Sequence, residues 1–482
     1  MVNYKDIREN VLKAFNGTKD VLFLDFEVAG HSAVIIYVDG LSDKPMMDRY
    51  IIEPLKKLDS IEEVLTPEVI NKYICIADPI FVCESLEQYI DKIADGDIGL
   101  LIDGATELMI VSLKNYKLRG IQEPPVSINI RGPREGFVED LKINMTMIRR
   151  RLRTPKLVFD LLKVGKYSKT NVSIVYIDGI CKNEIVEKVK DRLNKINVDG
   201  IIDSSYVSRF IEDNKYSMFT QIGNSEKPDI VSAKLLEGRV AIIVDGSPTV
   251  LTLPFILCEH FQASEDYFTK FYRASATRIL RFLALILAII LPASYVALQE
   301  FQYQMIPLRL LVVIMNSLHG VPLTPTLEML ALLLVFEVLN ESSVRMPRYV
   351  GTALSIVGAI VLGETAVNAG LLSIPAVLVT AISTIGLYCV PDEVDSCSLL
   401  RILFVIIAGL IGVFGIVLGA MALLCYLVSL ENYGTNYLSP ISPLMPKDLK
   451  DSFIKVNQID MKSRPFSIPT DNRTRLKDSK ED

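Results

Sequence analysis

No nucleotide-binding or hydrolytic motif runs through these 482 residues. A GxxxxGK[ST] loop, a GxGxxG turn between strand and helix, a GxSxG elbow and an HExxH helix are all absent, which removes the common phosphate, dinucleotide, serine-hydrolase and zinc-protease readings. Histidine is scarce: His31, His260 and His319 are too few for a histidine metal site or a catalytic triad. The seven cysteines (Cys75, Cys83, Cys181, Cys258, Cys389, Cys397, Cys425) are odd in number and show no CxxC spacing, so they read as reduced, structural and free of metal. Residues 1–20 are polar and charged, without the apolar core of a cleaved signal peptide. Net charge is −6, from 51 basic and 57 acidic residues, so no global basic field favours nucleic acid. The sequence predicts no enzyme activity and no cofactor.

What is present falls into two halves. Residues 1–270 are ordinary globular sequence, whereas residues 279–430 are dominated by long apolar runs near the length that crosses about 30 Å of hydrocarbon. The first half repeats itself. AVIIYVDGL (33–41) is echoed by VSIVYIDGI (172–180), and GLLIDGATELMIV (99–111) by VAIIVDGSPTVL (240–251). The Asp-Gly steps, at Asp39, Asp103, Asp178 and Asp245, recur at offsets of 139 and 142 residues, which predicts two duplicated α/β subdomains. In each copy the first step leads into a helical segment (44–58, 183–196) and the second reads as a hairpin turn. These aspartates are read as turn chemistry rather than as an ion site.

Between the copies, RGPREGFVEDLKINMTMIRRRLRTPKL (131–157) puts Phe137, Leu141, Met145 and Ile148 on one helical stripe, followed by Arg149, Arg150, Arg151 and Arg153. The arginines are either the solvated end of a linker helix or a contact surface for an acidic partner, another copy or anionic headgroups.

In the apolar half, Ile279–Leu298 is a first span, and Lys270, Arg273, Arg278 and Arg281 just before it put residues 1–270 in the cytoplasm. Pro307–Leu318 and Leu327–Leu339 are short, as expected of a re-entrant pair or of tilted spans buried in protein. Tyr349–Leu371, Ser373–Val390 and Leu400–Leu430 complete the set. Nine Lys/Arg beyond Met445 favour a cytoplasmic tail and an even number of crossings. Along Tyr349–Leu371 the small stripe Gly351, Ser355, Gly358, Leu362, Thr365, Ala369 suits close helix packing or a narrow pore. Arg309, Glu328, Glu337 and Glu364 are charges inside apolar segments, either structural pairs with Arg309 as a partner or parts of an ion pathway. Gly409, Gly412, Gly415 and Gly419 predict close helix contact.

GPREGFVEDL…N…IRRRLRTPKL, the segment 347–392 with RYVGTALSIVGAIVLGETAVNAGLLS and a closing CVPD, and the tail SRPFSIPTDNRTRLKD together resemble the GerA family, the A subunits of bacterial spore germinant receptors. The resemblance implies a bipartite cytoplasmic domain and a homo-oligomeric, multi-pass protein of the spore inner membrane. It implies a transporter-like B subunit and a lipoprotein C subunit as partners, and a nutrient-gated pore for monovalent cations. With it the stripe reads as pore lining and Leu362 as an apolar constriction. A sporulation-specific paralogue, a secondary transporter and a non-conducting scaffold are the rivals.

The expected architecture is a soluble α/β domain, an all-α transmembrane domain and a short polar tail. The expected divisions are a first subdomain at 1–130, a linker helix with its arginine cluster at 131–165, a second subdomain at 166–270, the membrane domain at 271–432 and the tail at 433–482.

Overall fold

The structure, a computed structural model, describes residues 4–58, 66–74, 80–105, 107–114, 132–345, 358 and 364–476. Strands β1 (Val21–Val28), β2 (His31–Val38), β3 (Phe81–Cys83), β4 (Ile98–Ile102) and β5 (Leu108–Val111) form an antiparallel sheet of order β1-β2-β4-β5-β3. Strands β6 (Leu157–Val164), β7 (Thr170–Ile177), β8 (Gly223–Ser225), β9 (Val240–Val244) and β10 (Val250–Leu253) repeat that order as β6-β7-β9-β10-β8. All four Asp-Gly steps are turns with glycine at positive φ, where glycine avoids the Cβ penalty.

Both sheets are covered on both faces, so their inner strands read as unbroken apolar runs. In β2, Ala33, Ile35 and Tyr37 enter one core, and Val34, Ile36 and Val38 enter the opposite one with α1 (Tyr4–Ala14) and α2 (Leu86–Ala94). In β9, Val240, Ile242 and Val244 face one core and Ala241 and Ile243 the other.

The linker helix α3 (Leu141–Arg151) starts where the Asp140 side chain accepts the Ile143 amide at 2.9 Å and ends ahead of Thr154-Pro155. Leu141, Met145 and Ile148 of its stripe, with Phe137 just ahead of the helix, are buried against the second sheet together with Val231 and Leu235. Helices α4 (Asn183–Asn194) and α5 (Ser204–Ile211) cover the other face, and α6 is Pro228–Leu236. The 131–165 boundary needs correction: β6 lies inside it, so the second sheet begins at Leu157.

Among the described residues, six helices of eleven residues or more form the apolar bundle: α7 (Phe271–Glu300), α8 (Leu308–Leu318), α9 (Pro325–Arg345), α10 (Ile374–Leu387), α11 (Val394–Ile411) and α12 (Val413–Ser429). The expected short segment 327–339 is thus part of a 21-residue helix, and the single span 400–430 is two helices. Gly412, at φ +71°, breaks the latter, and α12 folds back along α11. Pro292 lies inside α7 and cannot donate to the Ala288 carbonyl. The Ser383 hydroxyl of α10 donates to that carbonyl instead, at 2.6 Å. Gly386 lets α10 approach α7 so closely that a Cβ there would lie 2.7 Å from the Ala284 carbonyl.

The tail is not a loose appendage. Thr470 pairs with Cys181, Asp471 N donates to Ile180 O at 3.0 Å, and Arg464 reaches Leu236 O at 2.6 Å. Burial pushes the Cys181 and Cys258 thiols up to about 12, which keeps them protonated and unreactive.

Candidate functional site

Three polar nodes connect the parts of the chain. The first joins the two subdomains. Arg149 is 1% exposed and holds Asp20, 3% exposed, through Nε at 2.9 Å and Nη2 at 2.7 Å. Its remaining donors reach Thr154 O at 2.9 Å and Leu157 O at 3.0 Å. The guanidinium lies over the Phe159 ring, 5.0 Å from its centroid. Next to it Lys19 N donates to Phe159 O at 3.1 Å, and Phe159 N to Thr18 Oγ1 at 3.0 Å, so the first subdomain is stitched to the edge strand of the second. Arg149 is therefore an internal tie and not a contact surface: a buried guanidinium needs its carboxylate. Arg150 and Arg151 both bind Glu135, at 2.5 Å each, and remain partly exposed.

The second node lies where α/β base, bundle and tail meet. His260 Nε2 is 2.9 Å from Glu393 Oε1 and 3.3 Å from the Tyr437 hydroxyl. Both partners are almost wholly buried. Thr220 N also donates to Glu393 Oε1, at 3.2 Å, and the His260 ring stands edge-on to Phe255 at 4.8 Å. The preceding residue, Glu259, takes Lys234 at 2.8 Å and Arg239. Burial would raise its carboxyl, but the two cations outweigh burial and hold it below the usual carboxylate range.

On the bundle's rim, Asp213 accepts Tyr433 N at 2.6 Å and pairs with Arg192 and Lys188. Near the start of α7, Arg278 binds Asp266 and Asp451, each at 2.9 Å.

The third node is inside the bundle. Arg401, 1% exposed, is the only basic residue between Val394 and Leu430. It contacts Ser383 at 3.3 Å and Thr384 at 3.2 Å, and its Nη2 lies 3.7 Å from Glu337, which also accepts from Ser398 at 3.1 Å. Arg309, the expected partner of the glutamates, is instead exposed on α8. Glu328 is fully buried, and its Oε1 accepts the Ser373 amide at 2.5 Å, at the N-terminus of α10. This suits a carboxylate, because the first amides of a helix are unpaired and carry its positive end. Arg401 was legible as the lone cation in an apolar run. The His260–Glu393 pair had no local signal, since the partners are 133 positions apart.

Of the small stripe, Gly351, Ser355 and Leu362 lie outside the described residues. Gly358 is buried, with the place of its missing Cβ 3.2 Å from Leu339 of α9, so it serves packing within the chain. Glu364, Thr365 and Ala369 are exposed. Gly409 allows Thr326 to come close, and Gly415 and Gly419 seat α12 on Ile407 and Phe404 of α11. Among the described residues no group of three His, Cys, Asp or Glu could hold a metal ion.

The fold defines the class: an α/β base of two sheets bonded to a helical part in which, among the described residues, two helices, Phe271–Glu300 and Pro391–Ile411, are long and apolar enough to cross a membrane. The chain belongs to the Bacillus/Clostridium GerA spore germination protein family, which matches residues 9–467. It is similar to spore germination protein KA of Bacillus subtilis, 35% identical over 468 residues that cover 96% of this chain and 86% of that one. Spore germination protein GerLA of Bacillus cereus is 32% identical, covering 98% and 97%. Stage V sporulation protein AF of Bacillus subtilis is 27% identical, covering 95% and 92%. The crystal structure of the N-terminal domain of the A subunit of the Bacillus megaterium spore germinant receptor GerK3 is 28% identical, covers 51% of this chain and 92% of that chain, and superposes with a TM-score of 0.41. A role in spore germination follows from the family.

Proposed function

We propose that this chain is the A subunit of a nutrient germinant receptor in the spore inner membrane. Several copies, with a transporter-like B subunit and a lipoprotein C subunit, enclose a pore for monovalent cations that opens when nutrient is sensed. The observation that carries this reading is the family match over residues 9–467, which spans both the α/β base and the bundle.

The packing supports a multi-pass arrangement with both chain ends in the cytoplasm. The α/β base and the tail are bonded to each other, so they lie on one side of the membrane. Helix α7 leaves that side. Glu300 at its far end accepts from Thr326, at 2.9 Å to the amide, so α9 starts there and returns to where Asn340 meets Tyr388 at 2.9 Å. Helix α8 begins and ends at the far side and does not cross. Ser373, whose amide donates to Glu328, stands at the far end again, and α10, α11 and α12 from there bring the chain back to the side of the base. The shared strand order supports an origin of the two subdomains by duplication.

Gly351, Ser355, Leu362, Thr365 and Ala369 line the pore in this reading, and Leu362 supplies an apolar ring that excludes water when closed. Nutrient opens it by binding the open assembly more tightly than the closed one. Arg150 and Arg151 are contacts to neighbouring subunits. The test is flux through purified protein in liposomes. Passive cation current supports a channel, gradient-coupled uptake a transporter, and no transport a scaffold. Leu362→Ala leaks cations without nutrient if Leu362 is the constriction; a normally gated variant overturns that assignment.

A further inference from the structure

Helix α5 begins at Asp203, whose side chain caps Ser205 N at 2.9 Å, and buries Val207 and Ile211. Its other face carries Tyr206 and Phe210, four residues apart and both exposed to solvent. The loop beyond it leaves Tyr216 95% exposed and Met218 exposed as well. Arg209 and Lys215 flank these side chains and are also exposed. A soluble domain seldom offers water an aromatic and apolar patch of this kind without a use for it.

The patch sits at the level of the bundle's base. Met218 O accepts the hydroxyl of Ser396, in the first turn of α11, at 2.5 Å. Phe219 then enters the bundle core beside Tyr426 and Tyr437, at 6.3 and 6.4 Å, and Thr220 binds Glu393. Tyr388, exposed at the end of α10, marks the same level on the bundle itself. Aromatic rings with an apolar body and a polar tip, flanked by Arg and Lys, match the chemistry of the layer between hydrocarbon and water.

We propose that Tyr206, Phe210, Tyr216 and Met218, with Arg209 and Lys215, form a foot by which the second α/β subdomain rests in the headgroup layer of the surrounding bilayer, on anionic lipid. The proposal rests on the reading of the bundle as membrane-embedded. The foot fixes the height of the base against the membrane, next to the buried His260–Glu393 pair.

The chain contains no tryptophan, so Tyr216→Trp makes a single fluorescent reporter. The full-length variant is reconstituted into phosphatidylcholine vesicles containing phosphatidylglycerol, with or without lipid brominated near the headgroup end of its chains. A second variant, Leu283→Trp on the exposed face of α7, reports the embedding of the bundle. The expected result is a blue-shifted emission from Tyr216→Trp, quenched about twofold by the brominated lipid, as for an interfacial aromatic. Adding Arg209→Glu and Lys215→Glu should weaken that quenching in anionic vesicles. Water-like, unquenched emission from Tyr216→Trp, with Leu283→Trp quenched, overturns the foot and leaves the membrane reading standing. Blue-shifted but unquenched emission overturns it in favour of a second copy or another protein covering the patch. If neither reporter is quenched, the foot and the membrane reading both fall.

Discussion

Replacing Arg149 by methionine leaves Asp20 buried with only Thr18 Oγ1 beside it, at 2.5 Å, and removes donors from the carbonyls of Thr154 and Leu157. Breaking a buried ion pair by removing one partner costs about 3–5 kcal/mol. The two stranded carbonyls share that loss and are not added to it. A local cost of about 4 kcal/mol corresponds to about a thousandfold in an opening equilibrium. The assay is amide hydrogen exchange on the full-length chain in detergent, followed at Lys19 and Phe159, whose amides close the joint between the subdomains. Both should exchange about a thousandfold faster in Arg149→Met, up to the limit set by global unfolding. In the double variant Arg149→Met, Asp20→Leu most of the protection should return, because apolar side chains of similar volume replace a buried pair at little cost. If the single variant protects these amides as well as the parent chain, the tie is not what holds the subdomains together. If the double variant is no better than the single, the loss came from packing rather than from an unpaired charge.

Ser383→Ala should cost about 1 kcal/mol of thermal stability by leaving the Ala288 carbonyl without a donor. In a Pro292→Ala background, where the helix amide returns, the same substitution should cost less, leaving only the share from the Arg401 contact to the Ser383 hydroxyl, and equal costs in both backgrounds refute the link. Gly238 has φ +99° and a Cβ there would lie 2.2 Å from Thr470 Cγ2, so Gly238→Val should lift the tail and speed tryptic cleavage at Arg473 and Arg475. Unchanged cleavage would show that the tail is held elsewhere. For Asp213, burial pushes the carboxyl up, but the Tyr433 amide and Arg192 outweigh it and hold it below its usual range. A depressed carboxyl stabilises fully above its unfolded value, about pH 4, and loses that contribution as pH falls through the folded value. Exchange at Tyr433 should therefore accelerate only below about pH 4, and Asp213→Asn should abolish the acid step. A transition near neutrality would contradict this.

Local pattern made the two sheets legible, because strand alternation and the Asp-Gly spacing are properties of short stretches. The stripe of α3 was readable for Leu141, Met145 and Ile148, whereas Phe137 lies ahead of the helix, which starts only after the Asp140 cap. The hairpin of α11 and α12 was hidden because Gly412 breaks an otherwise continuous apolar run without a charge or a proline to mark it. Arg149 was misread because a run of arginines looks solvated, and only the fold brings Asp20, 129 positions earlier, beneath one of them. Arg309 was paired with the glutamates on proximity in sequence, whereas Glu337 meets Arg401 through the side-by-side packing of α9 and α11. The His260 node needs three distant segments at once and has no periodicity to betray it.

The attachment of the C-terminal segment sets an order of assembly. Asn432 binds backbone carbonyls of Gln221 and Phe255, and Arg464 binds that of Leu236, 228 positions before it. Everything between Phe271 and Ser429 must therefore be synthesised before the α/β base receives its last pieces. A ribosome delivering this chain completes the base only after every helix of the bundle has been made, so a product truncated ahead of Asn432 would carry the bundle beside an unfinished base.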